Sequence, residues 1–356
     1  MKVIIAGGGT GGHVFPAISI AEEIARRDPG NEILFVGTKS GLENELLGKR
    51  GFKIRHISSG GIVGKGISKS LSGFFSAAKG VVESASLIRE FKPDFVLGVG
   101  GYVSGPLVLS ASLLNVPTAI CEQNTVPGLT NRILGRFVKR VFASFEGSYN
   151  FFDRKKVMLT GNPIRQEILQ NVGKVNKSES LTCLVFGGSQ GARKLNSSVP
   201  EALSLTGHKD LYVIHQTGRG DLQNVKDAYQ RLGISAEVVP FIDDMAGAYA
   251  RSDFVIGRAG AGTVAEITAL GKPSLLVPFP HATHNHQYEN ARALESAGAA
   301  LLVRDEYAEP KRLARALDIL LNKDKLNSMA ENACKLGRPG AAAEIVDEIS
   351  KMAGVT

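Results

Sequence analysis

Twice along this chain a short apolar segment runs into a glycine-rich loop and then into a helical pattern. In the first half, residues 3–6 lead into a loop from Gly7 to His13, and Pro16 falls in the first turn of the helix that follows. In the second half, residues 182–186 lead into the loop 187–191. Further β-branched segments alternate with helical periodicity at 33–37, 95–99 and 117–121, and again at 212–215, 237–239, 254–256 and 274–277. Such alternation predicts an α/β fold with a parallel sheet in each of two tandem halves.

The division between the halves is predicted at a Gly-Asn-Pro turn, residues 161–163, because turn residues follow the last strand of the first half there. A length of 356 residues is enough for two domains, and we expect a cleft between them. A final helix, about 341–352, has an apolar stripe that fits either half.

The formal charge of +8 lies in the first half, where residues 1–160 contain 20 basic and 12 acidic residues. Residues 161–356 contain 22 of each. The asymmetry favours an anionic partner, either nucleic acid or a membrane surface, although a solvated basic face would show the same surplus. No motif that combines aromatic and basic residues supports nucleic-acid binding. The three cysteines are odd in number and widely spaced, which favours a reducing compartment.

Glycine loops at the starts of helices allow backbone N–H groups to face a phosphate. Gly7, Gly9 and Gly12 have the spacing of a dinucleotide fingerprint, but the second strand ends at Gly37 and Thr38 without an acid for a ribose. The first loop therefore argues against a nicotinamide cofactor and for a phosphate or a sugar.

A third glycine loop, residues 257–263, leads into a helix that carries Thr263 and Glu266 on one face. A diphosphate at the helix start, with a carboxylate one turn deeper that accepts from ribose hydroxyls, suits a nucleoside diphosphate. If this segment stood alone, the favoured interpretation of Glu266 would be a solvated surface acid on an early helical turn.

Two polar segments are candidates for ligand contacts. Three histidines at 281, 284 and 286 suggest a metal, but no cysteine lies nearby and their spacing matches no helical ligand pair, so the loop with Gln287 is interpreted as facing a ligand's hydroxyls. Glu122, Gln123 and Asn124 follow a strand, where parallel sheets present binding groups, or they form only a polar turn.

Six motifs together resemble the bacterial MurG-type transferases, which add N-acetylglucosamine to the lipid-linked muramyl pentapeptide of cell-wall synthesis. They are Gly8-Gly9-Thr10-Gly11-Gly12-His13, Glu122-Gln123-Asn124, Thr160-Gly161-Asn162-Pro163-Ile164-Arg165, Gly187-Gly188-Ser189-Gln190-Gly191-Ala192, Phe241-Ile242-Asp243-Asp244-Met245 and Arg258-Ala259-Gly260-Ala261. The motifs span the chain in the family's order.

The resemblance implies the GT-B architecture of two Rossmann-like domains facing a cleft, with the last helix returning to the first domain. The domains would then be 1–160 plus 340–356 for the acceptor and the membrane, and 161–339 for UDP-N-acetylglucosamine. In the donor site it implies Ile242 at the uracil, Glu266 at the ribose, Arg165, Ser189, Ala261, Gly262 and Thr263 about the diphosphate, and Asn124 and Gln287 at the sugar, with Thr10, Gly11 and Gly12 opposite. His286 replaces a frequent glutamine and Cys121 a frequent histidine of the family.

The implied reaction is an attack by O4 of the muramyl sugar on the anomeric carbon, with inversion to a β-1,4 disaccharide. His13 is the first candidate for the base because a neutral imidazole dominates at pH 7, and Glu122 is the second; His13 could instead hold the loop. Helix N-termini and Arg165 would stabilise the departing UDP, so we expect no cofactor and no essential divalent ion.

The acceptor of this family is anchored in a bilayer, and a helix in the first half offers a candidate membrane surface. Phe75 and Val82 lie off the stripe that packs inward, and Lys65, Lys69 and Lys79 surround them. This pattern suits anionic headgroups, although an ordinary amphipathic helix has the same pattern. The resemblance implies a peripheral protein on the cytoplasmic side of the bacterial membrane, with other cell-wall synthesis proteins as possible partners.

Three other functions are consistent with parts of the sequence. They are a GT-B transferase for another lipid, an epimerase of the same sugar nucleotide, and a sugar-nucleotide-binding subunit that needs a catalytic partner. Turnover of a lipid-linked muramyl peptide separates the first two from the MurG-type reaction, and the presence of two α/β halves in one chain argues against the third.

Overall fold

The computed structural model describes residues 1–8, 11–38, 43–48, 50–58, 67–173, 180–208 and 210–355, with backbone only for 45 and 67–78. The chain divides into two compact units, Met1–Arg165 with Gly340–Thr356, and Gln166–Pro339. The first unit ends at Arg165, five residues beyond the predicted 160, because the turn stays attached to the first sheet: the Gly161 N–H donates to the Ala143 carbonyl at 3.1 Å.

The first unit is built on a seven-stranded parallel sheet in the order β3-β2-β1-β4-β5-β6-β7. Its strands are β1 Lys2–Gly7, β2 Glu32–Gly37, β3 Lys53–His56, β4 Phe95–Gly100, β5 Thr118–Glu122, β6 Arg140–Ala143 and β7 Val157–Leu159. Its helices are α1 Gly11–Arg27, α2 Glu43–Gly48, α3 Ile67–Phe91, α4 Ser104–Leu113 and α5 Leu129–Leu134, and a single 3-10 helix spans Glu146–Asn150.

Helices cover both faces of this sheet, which explains why its central strands are apolar along nearly their whole length. Ile4 and Ile5 are adjacent on β1 and fully buried, yet they enter different hydrophobic clusters because successive strand residues face opposite sides. Ile5 packs with Ile18 of α1, and Ile4 packs with Leu107 of α4.

The last helix, α14 Ala341–Ala353, belongs to the first unit. Its apolar stripe, which includes the buried Ile345, joins the cluster around α1. Arg140 also donates to Glu348 at 2.7 Å, which ties this helix to β6. The helix whose packing the periodicity left open therefore completes the core of the first unit.

The second unit contains a six-stranded parallel sheet in the order β10-β9-β8-β11-β12-β13. Its strands are β8 Thr182–Phe186, β9 Tyr212–Gln216, β10 Ala236–Val239, β11 Phe254–Gly257, β12 Ser274–Leu276 and β13 Ala300–Leu302. Its helices are α6 Gln166–Leu169, α7 Arg193–Leu205, α8 Leu222–Leu232, α9 Met245–Arg251, α10 Ala261–Ala269, α11 His286–Ser296, α12 Pro310–Leu320 and α13 Lys323–Leu336, with single 3-10 helices at Thr283–Asn285 and Asp305–Tyr307.

Both sheets are doubly wound, and this confirms the predicted fold class. In each sheet the strand order reverses beside the first strand, between β1 and β4 and between β8 and β11. Ligands of such sheets bind beyond the carboxyl ends of the strands at this reversal. The two predicted glycine loops that follow β1 and β8 lie at these two positions.

Candidate functional site

At the strand-order reversal of the first unit, His13 lies against the end of β4. A methyl group added at Gly100 would lie 2.6 Å from Cδ2 and 2.8 Å from Nε2 of His13. Gly100 also has a φ of +112°, a backbone conformation that residues other than glycine rarely adopt. Glycine at this position therefore lets the partly buried imidazole sit directly on the backbone of β4.

The loops after β1 and β4 are packed backbone to backbone around this histidine. A Cβ on Gly101 would meet the Gly8 carbonyl oxygen at 2.6 Å. Buried Ser104 fastens the same strand ends, since its hydroxyl lies 2.9 Å from the Ala6 carbonyl and accepts from the Gly100 N–H at 3.1 Å. The buried Ser104 hydroxyl thus joins the ends of β1 and β4, the strand against which His13 lies.

The predicted glycine loop is shorter than expected, because α1 already begins at Gly11 and includes Gly12. Thr10 and Lys65 lie outside the described residues. Glu43, which was not predicted from the sequence, is a fully buried carboxylate beside Gly8 and accepts from the Thr38 N–H at 2.9 Å.

Tyr102 is a second residue that sequence analysis missed. It follows the glycines at the end of β4 and is 63% exposed. It is therefore an exposed aromatic side chain directly after the strand that supports His13, and its place after two glycines was the signal in the sequence.

Glu122 ends β5 and is only 2% exposed. Its carboxylate accepts from the Asn124 N–H at 3.0 Å and from the Asn131 side-chain amide at 2.8 Å. Burial raises the pKa of Glu122 to about 7, although these hydrogen bonds and others from the Asn124 side chain and the Gly128 backbone act to lower it. The carboxylate therefore organises the loop that presents Asn124.

Arg165 closes the first unit, where its guanidinium lies 5.1 Å from the ring centroid of Phe15 on α1. Nearby in sequence, Asn162 is 4% exposed, and neither its amide nitrogen nor its amide oxygen has a hydrogen-bond partner among the described residues. The segment after the Gly-Asn-Pro turn therefore brings the Arg165 guanidinium to α1, and the turn itself contains a buried amide without a hydrogen-bond partner among the described residues.

In the second unit, a buried glutamine that sequence analysis missed connects two predicted donor segments. Gln216, at the end of β9, is 2% exposed. Its amide nitrogen donates to the Gly188 carbonyl at 2.9 Å, and its amide oxygen accepts from the Ile242 N–H at 2.8 Å. The structure thus brings the exposed Ser189 loop and the Ile242 segment together, and the N–H of Ile242 is already engaged. A polar residue that ends an apolar strand was the available signal.

The glycine loop after β8 packs tightly on the loop after β9. A Cβ on Gly191, where φ is +76°, would lie 1.9 Å from the Thr217 carbonyl oxygen. The same carbonyl accepts from the Asn196 amide at 2.8 Å, and His215 lies 3.1 Å from the oxygen of that amide. Burial lowers the pKa of His215 to about 3, so this network holds a neutral imidazole in the core.

Glu266 lies in the second turn of α10 and is 9% exposed. The Tyr249 hydroxyl donates to its Oε2 at 3.0 Å, and the Tyr249 ring packs edge to face on Phe186 at 6.0 Å. Glu266 is therefore a braced, largely buried carboxylate at the end of β8 and not a solvated surface acid. Sequence analysis did not identify its brace, since Tyr249 lies 17 residues away.

The remaining predicted donor residues also lie at the carboxyl ends of the second sheet. Ala261, Gly262 and Thr263 form the first turn of α10, after β11. Gln287, in the first turn of α11, accepts from the Phe279 N–H at 3.0 Å. His286 begins the same helix, and its Nδ1 lies 2.7 Å from the Thr283 carbonyl.

The described part of the chain contains no group of three or more histidine, cysteine, aspartate or glutamate side chains arranged to hold a metal ion. Among the described residues, His281, His284 and His286 therefore belong to no such group.

The candidate membrane surface is described in part. Lys69 and Phe75 lie on α3, but their side chains are outside the described atoms. The Val82 side chain is 70% exposed, and Lys79, also largely exposed, lies 3.7 Å from Glu83. None of the described helices is both long enough and apolar enough to span a bilayer.

Family models match both units. The glycosyltransferase family 28 N-terminal domain matches residues 3–143, and the glycosyltransferase family 28 C-terminal domain matches residues 182–346.

Relatives of this chain share one name over nearly its full length. A protein of Myxococcus xanthus is 48% identical over 351 residues, which cover 98% of this chain and 92% of the relative. A protein of Syntrophus aciditrophicus is 46% identical, with 99% of both chains covered. Both are named UDP-N-acetylglucosamine–N-acetylmuramyl-(pentapeptide) pyrophosphoryl-undecaprenol N-acetylglucosamine transferase.

Solved structures agree with this result. The crystal structure of Acinetobacter baumannii MurG matches with a TM-score of 0.83 and 33% identity, covering 98% of this chain and 99% of that one. A putative UDP-N-acetylglucosamine 2-epimerase from Listeria monocytogenes has a TM-score of 0.69 at 16% identity, covering 100% and 97%, and this likeness concerns the fold alone.

Proposed function

Because the chain belongs to glycosyltransferase family 28, we propose that it transfers N-acetylglucosamine from UDP-N-acetylglucosamine to undecaprenyl-pyrophosphoryl-N-acetylmuramyl pentapeptide. The observation that carries this proposal is the shared transferase name of relatives 43–48% identical over 98–99% of the chain. The product is the β-1,4-linked disaccharide lipid used in peptidoglycan synthesis. The enzyme is thus a hexosyltransferase, and the epimerase alternative rests only on a shared fold.

The donor binds in the second unit under this proposal. Glu266 accepts from the ribose hydroxyls, and the Ile242 segment contacts the uracil. The N–H groups at the start of α10, with Ser189, bind the diphosphate, because helix N-termini attract anions. Arg165 contributes positive charge to the same group, and Gln287 contacts the sugar together with Asn124.

The acceptor O4 loses its proton to His13 in this proposal. Its imidazole is partly exposed at the strand-order reversal of the first unit, where binding groups of doubly wound sheets are found. Inversion requires only a base on the acceptor side and stabilisation of UDP on the other side, with no covalent intermediate. Arg165 and the helix N-termini supply that stabilisation, so no divalent ion is essential.

The first unit docks on an anionic membrane face in this proposal, with the protein peripheral on the cytoplasmic side. The support is the exposed Val82 with Lys79 on α3, together with the basic surplus of the first half. Basic residues near an anionic bilayer contribute about 1 kcal/mol each.

A transfer assay tests the reaction. The purified chain is incubated with UDP-N-acetylglucosamine and a short-chain muramyl-pentapeptide lipid analogue, with and without chelator, and UDP release is measured. We expect chelator-insensitive turnover, a loss of kcat in His13→Ala, and a rise mainly in donor KM in Glu266→Ala. Absence of disaccharide product from the wild type refutes the function, and an unaltered kcat in His13→Ala refutes the base.

Vesicle binding tests the membrane surface separately. A Phe75→Asp, Lys79→Glu, Val82→Asp variant should lose binding to vesicles rich in anionic lipid but keep turnover of a short-chain acceptor. Lys226→Glu, Lys311→Glu, which changes the formal charge by the same four units at exposed positions of α8 and α12, is the matched control and should bind like the wild type. Equal binding of the triple variant and the wild type excludes this surface.

A further inference from the structure

A groove of about 1020 Å³ runs along α7 and α8 of the second unit. Its walls include Gln190, Arg193 and Lys194 beside the glycine loop, Arg231 on α8, and Phe279 and Gln287. Of the residues proposed to bind the donor, only Gln287 lines it. The groove therefore begins beside the donor sugar and extends into a region to which the transfer reaction assigns no ligand.

Near the glycine loop the groove is lined by two cations that form no ion pair in the described part of the chain, and by Asp221, whose carboxylate accepts from the Asn196 side-chain amide at 2.8 Å. Among the described residues, Arg193 and Lys194 have no carboxylate within salt-bridge distance. Arg258, by contrast, is paired with Asp305 at 2.5 Å. At the far end, Arg231 lies 3.5 Å from Glu201, and both side chains are more than half exposed, so that pair is weak.

The dimensions of the groove suit an extended peptide. From residue 193 to 201 along α7 the helix rises about 12 Å, and from 221 to 231 along α8 it rises about 15 Å. An extended chain covers roughly 3.3 Å per residue, so four or five residues span this length. Phe279, 42% exposed, supplies an apolar wall for side chains.

The chemistry of the acceptor places a peptide near this end of the groove. In N-acetylmuramic acid the lactyl group that carries the peptide is attached at O3, next to the attacking O4. A peptide linked through its amino end retains a carboxylate at its other end. The stem therefore leaves the acceptor sugar beside the donor sugar, as an acidic chain that needs a cationic path.

We propose that this groove binds the peptide stem of the acceptor, with Arg193 and Lys194 facing its carboxylates. The inference rests on the proposed transfer reaction and adds a site for one part of its substrate. Gln287 marks the boundary between the donor sugar and the stem.

Two acceptor analogues test the proposal with the full-length enzyme. One is a short-chain pyrophosphoryl muramyl pentapeptide. The other, the capped acceptor, lacks the peptide and has a methylamide on the lactyl carboxyl in its place. For Arg193→Glu, Lys194→Glu we expect at least a tenfold rise in KM for the pentapeptide acceptor and less than a twofold change for the capped acceptor. KM for UDP-N-acetylglucosamine, measured with the capped acceptor, should stay unchanged.

Matched variants make the result specific. Lys311→Glu, Arg315→Glu changes the same charge on the exposed face of α12 outside the groove and should behave like the wild type. The Arg193→Gln, Lys194→Gln variant removes both charges without reversing them, so it disturbs folding less than the glutamate variant. It should raise KM for the pentapeptide acceptor by a smaller factor.

Three outcomes overturn the proposal. Equal KM rises for both acceptors assign the cations to the lipid diphosphate, and a raised donor KM assigns them to UDP. No change with either acceptor shows that the stem binds elsewhere. If the wild-type enzyme turns over neither acceptor, the proposed transfer reaction itself is refuted. That result differs from one in which the enzyme is active and the variant changes KM equally for the two acceptors.

Discussion

Replacing Tyr249 by phenylalanine removes a single hydroxyl that braces the proposed ribose-binding carboxylate. The hydroxyl donates to Glu266 Oε2 at 3.0 Å, and the tyrosine is fully buried. Hydrogen bonds to charged groups contribute about 1.5–3 kcal/mol. Since Glu266 keeps 9% exposure to solvent, we expect a loss near the low end, about 1.5 kcal/mol of unfolding free energy.

The same change should weaken binding of UDP by up to about tenfold, because ordering one side chain on binding costs about 0.5–1.5 kcal/mol and about 1.4 kcal/mol corresponds to a factor of ten. An unbraced carboxylate must give up rotamer freedom when it binds the ribose. Since 2′-deoxy-UDP presents one fewer hydroxyl to this carboxylate, its affinity should fall less. Isothermal titration with both ligands should therefore show a smaller preference for UDP in Tyr249→Phe than in the wild type.

Tyr229→Phe is the matched control for this experiment. Tyr229 is another buried tyrosine of the second unit, but its hydroxyl lies 3.0 Å from Nδ1 of His215 instead of contacting Glu266. It should lose stability and keep the preference for UDP. If Tyr249→Phe also keeps that preference while Glu266→Ala loses it, the tyrosine does not position the carboxylate.

Three further changes test the supports of the candidate site. Gln216→Leu should lower UDP affinity and cost about 2 kcal/mol of stability, because two hydrogen bonds are lost. Gln230→Leu, on the exposed face of α8, should change neither the affinity, measured by titration, nor the stability, measured by denaturant unfolding. Gly191→Ala should lower the urea midpoint of unfolding strongly, because an added Cβ has no space there and the φ of Gly191 is positive. Gly207→Ala should leave the midpoint unchanged, because an added Cβ there has no atom within 4 Å. Equal midpoints for the two variants would contradict the geometry. Because the pKa of Glu122 is raised to about 7, the unfolded state releases this proton first, so stability should fall as pH rises from about 4.5 to 7, and Glu122→Gln should flatten that fall in unfolding curves at pH 5, 6 and 7.

The glycine loops could be predicted from sequence because their requirement is local. A strand, two or more glycines and a helix with apolar periodicity determine where a chain can turn close to an anion, whatever surrounds it. The central strands β1, β4, β8 and β11 were recognised for a similar reason, since both of their faces are buried and their residues are nearly all apolar. Three of the four edge strands, β3, β7 and β13, have only three or four residues, too few to show a period, whereas the fourth, β10, is equally short but was predicted from its two valines.

The residues that brace the site could not be predicted in the same way, because their partners come from distant parts of the chain. Gln216 meets Gly188 and Ile242 only because β9 lies between β8 and β10 in the sheet. Glu266 depends likewise on Tyr249 from α9. Without the strand order, the sequence can identify a carboxylate near a helix start but not whether it is braced or solvated.

The imidazole of His13 and the carboxyl group of Glu122 lie in surroundings that suit different tasks. A base must change its protonation state during the reaction, and its nitrogen must be accessible to the acceptor hydroxyl. The ring of His13 lies against the backbone of Gly100, and the residue remains partly exposed. Glu122 is instead buried, with donors from Asn124 and Asn131 directed at its oxygens, so an acceptor hydroxyl would have to displace them to reach it. This contrast supports His13 as the base and Glu122 as the residue that orders the Asn124 loop, even though the pKa of Glu122 lies close to the pH at which a base would act.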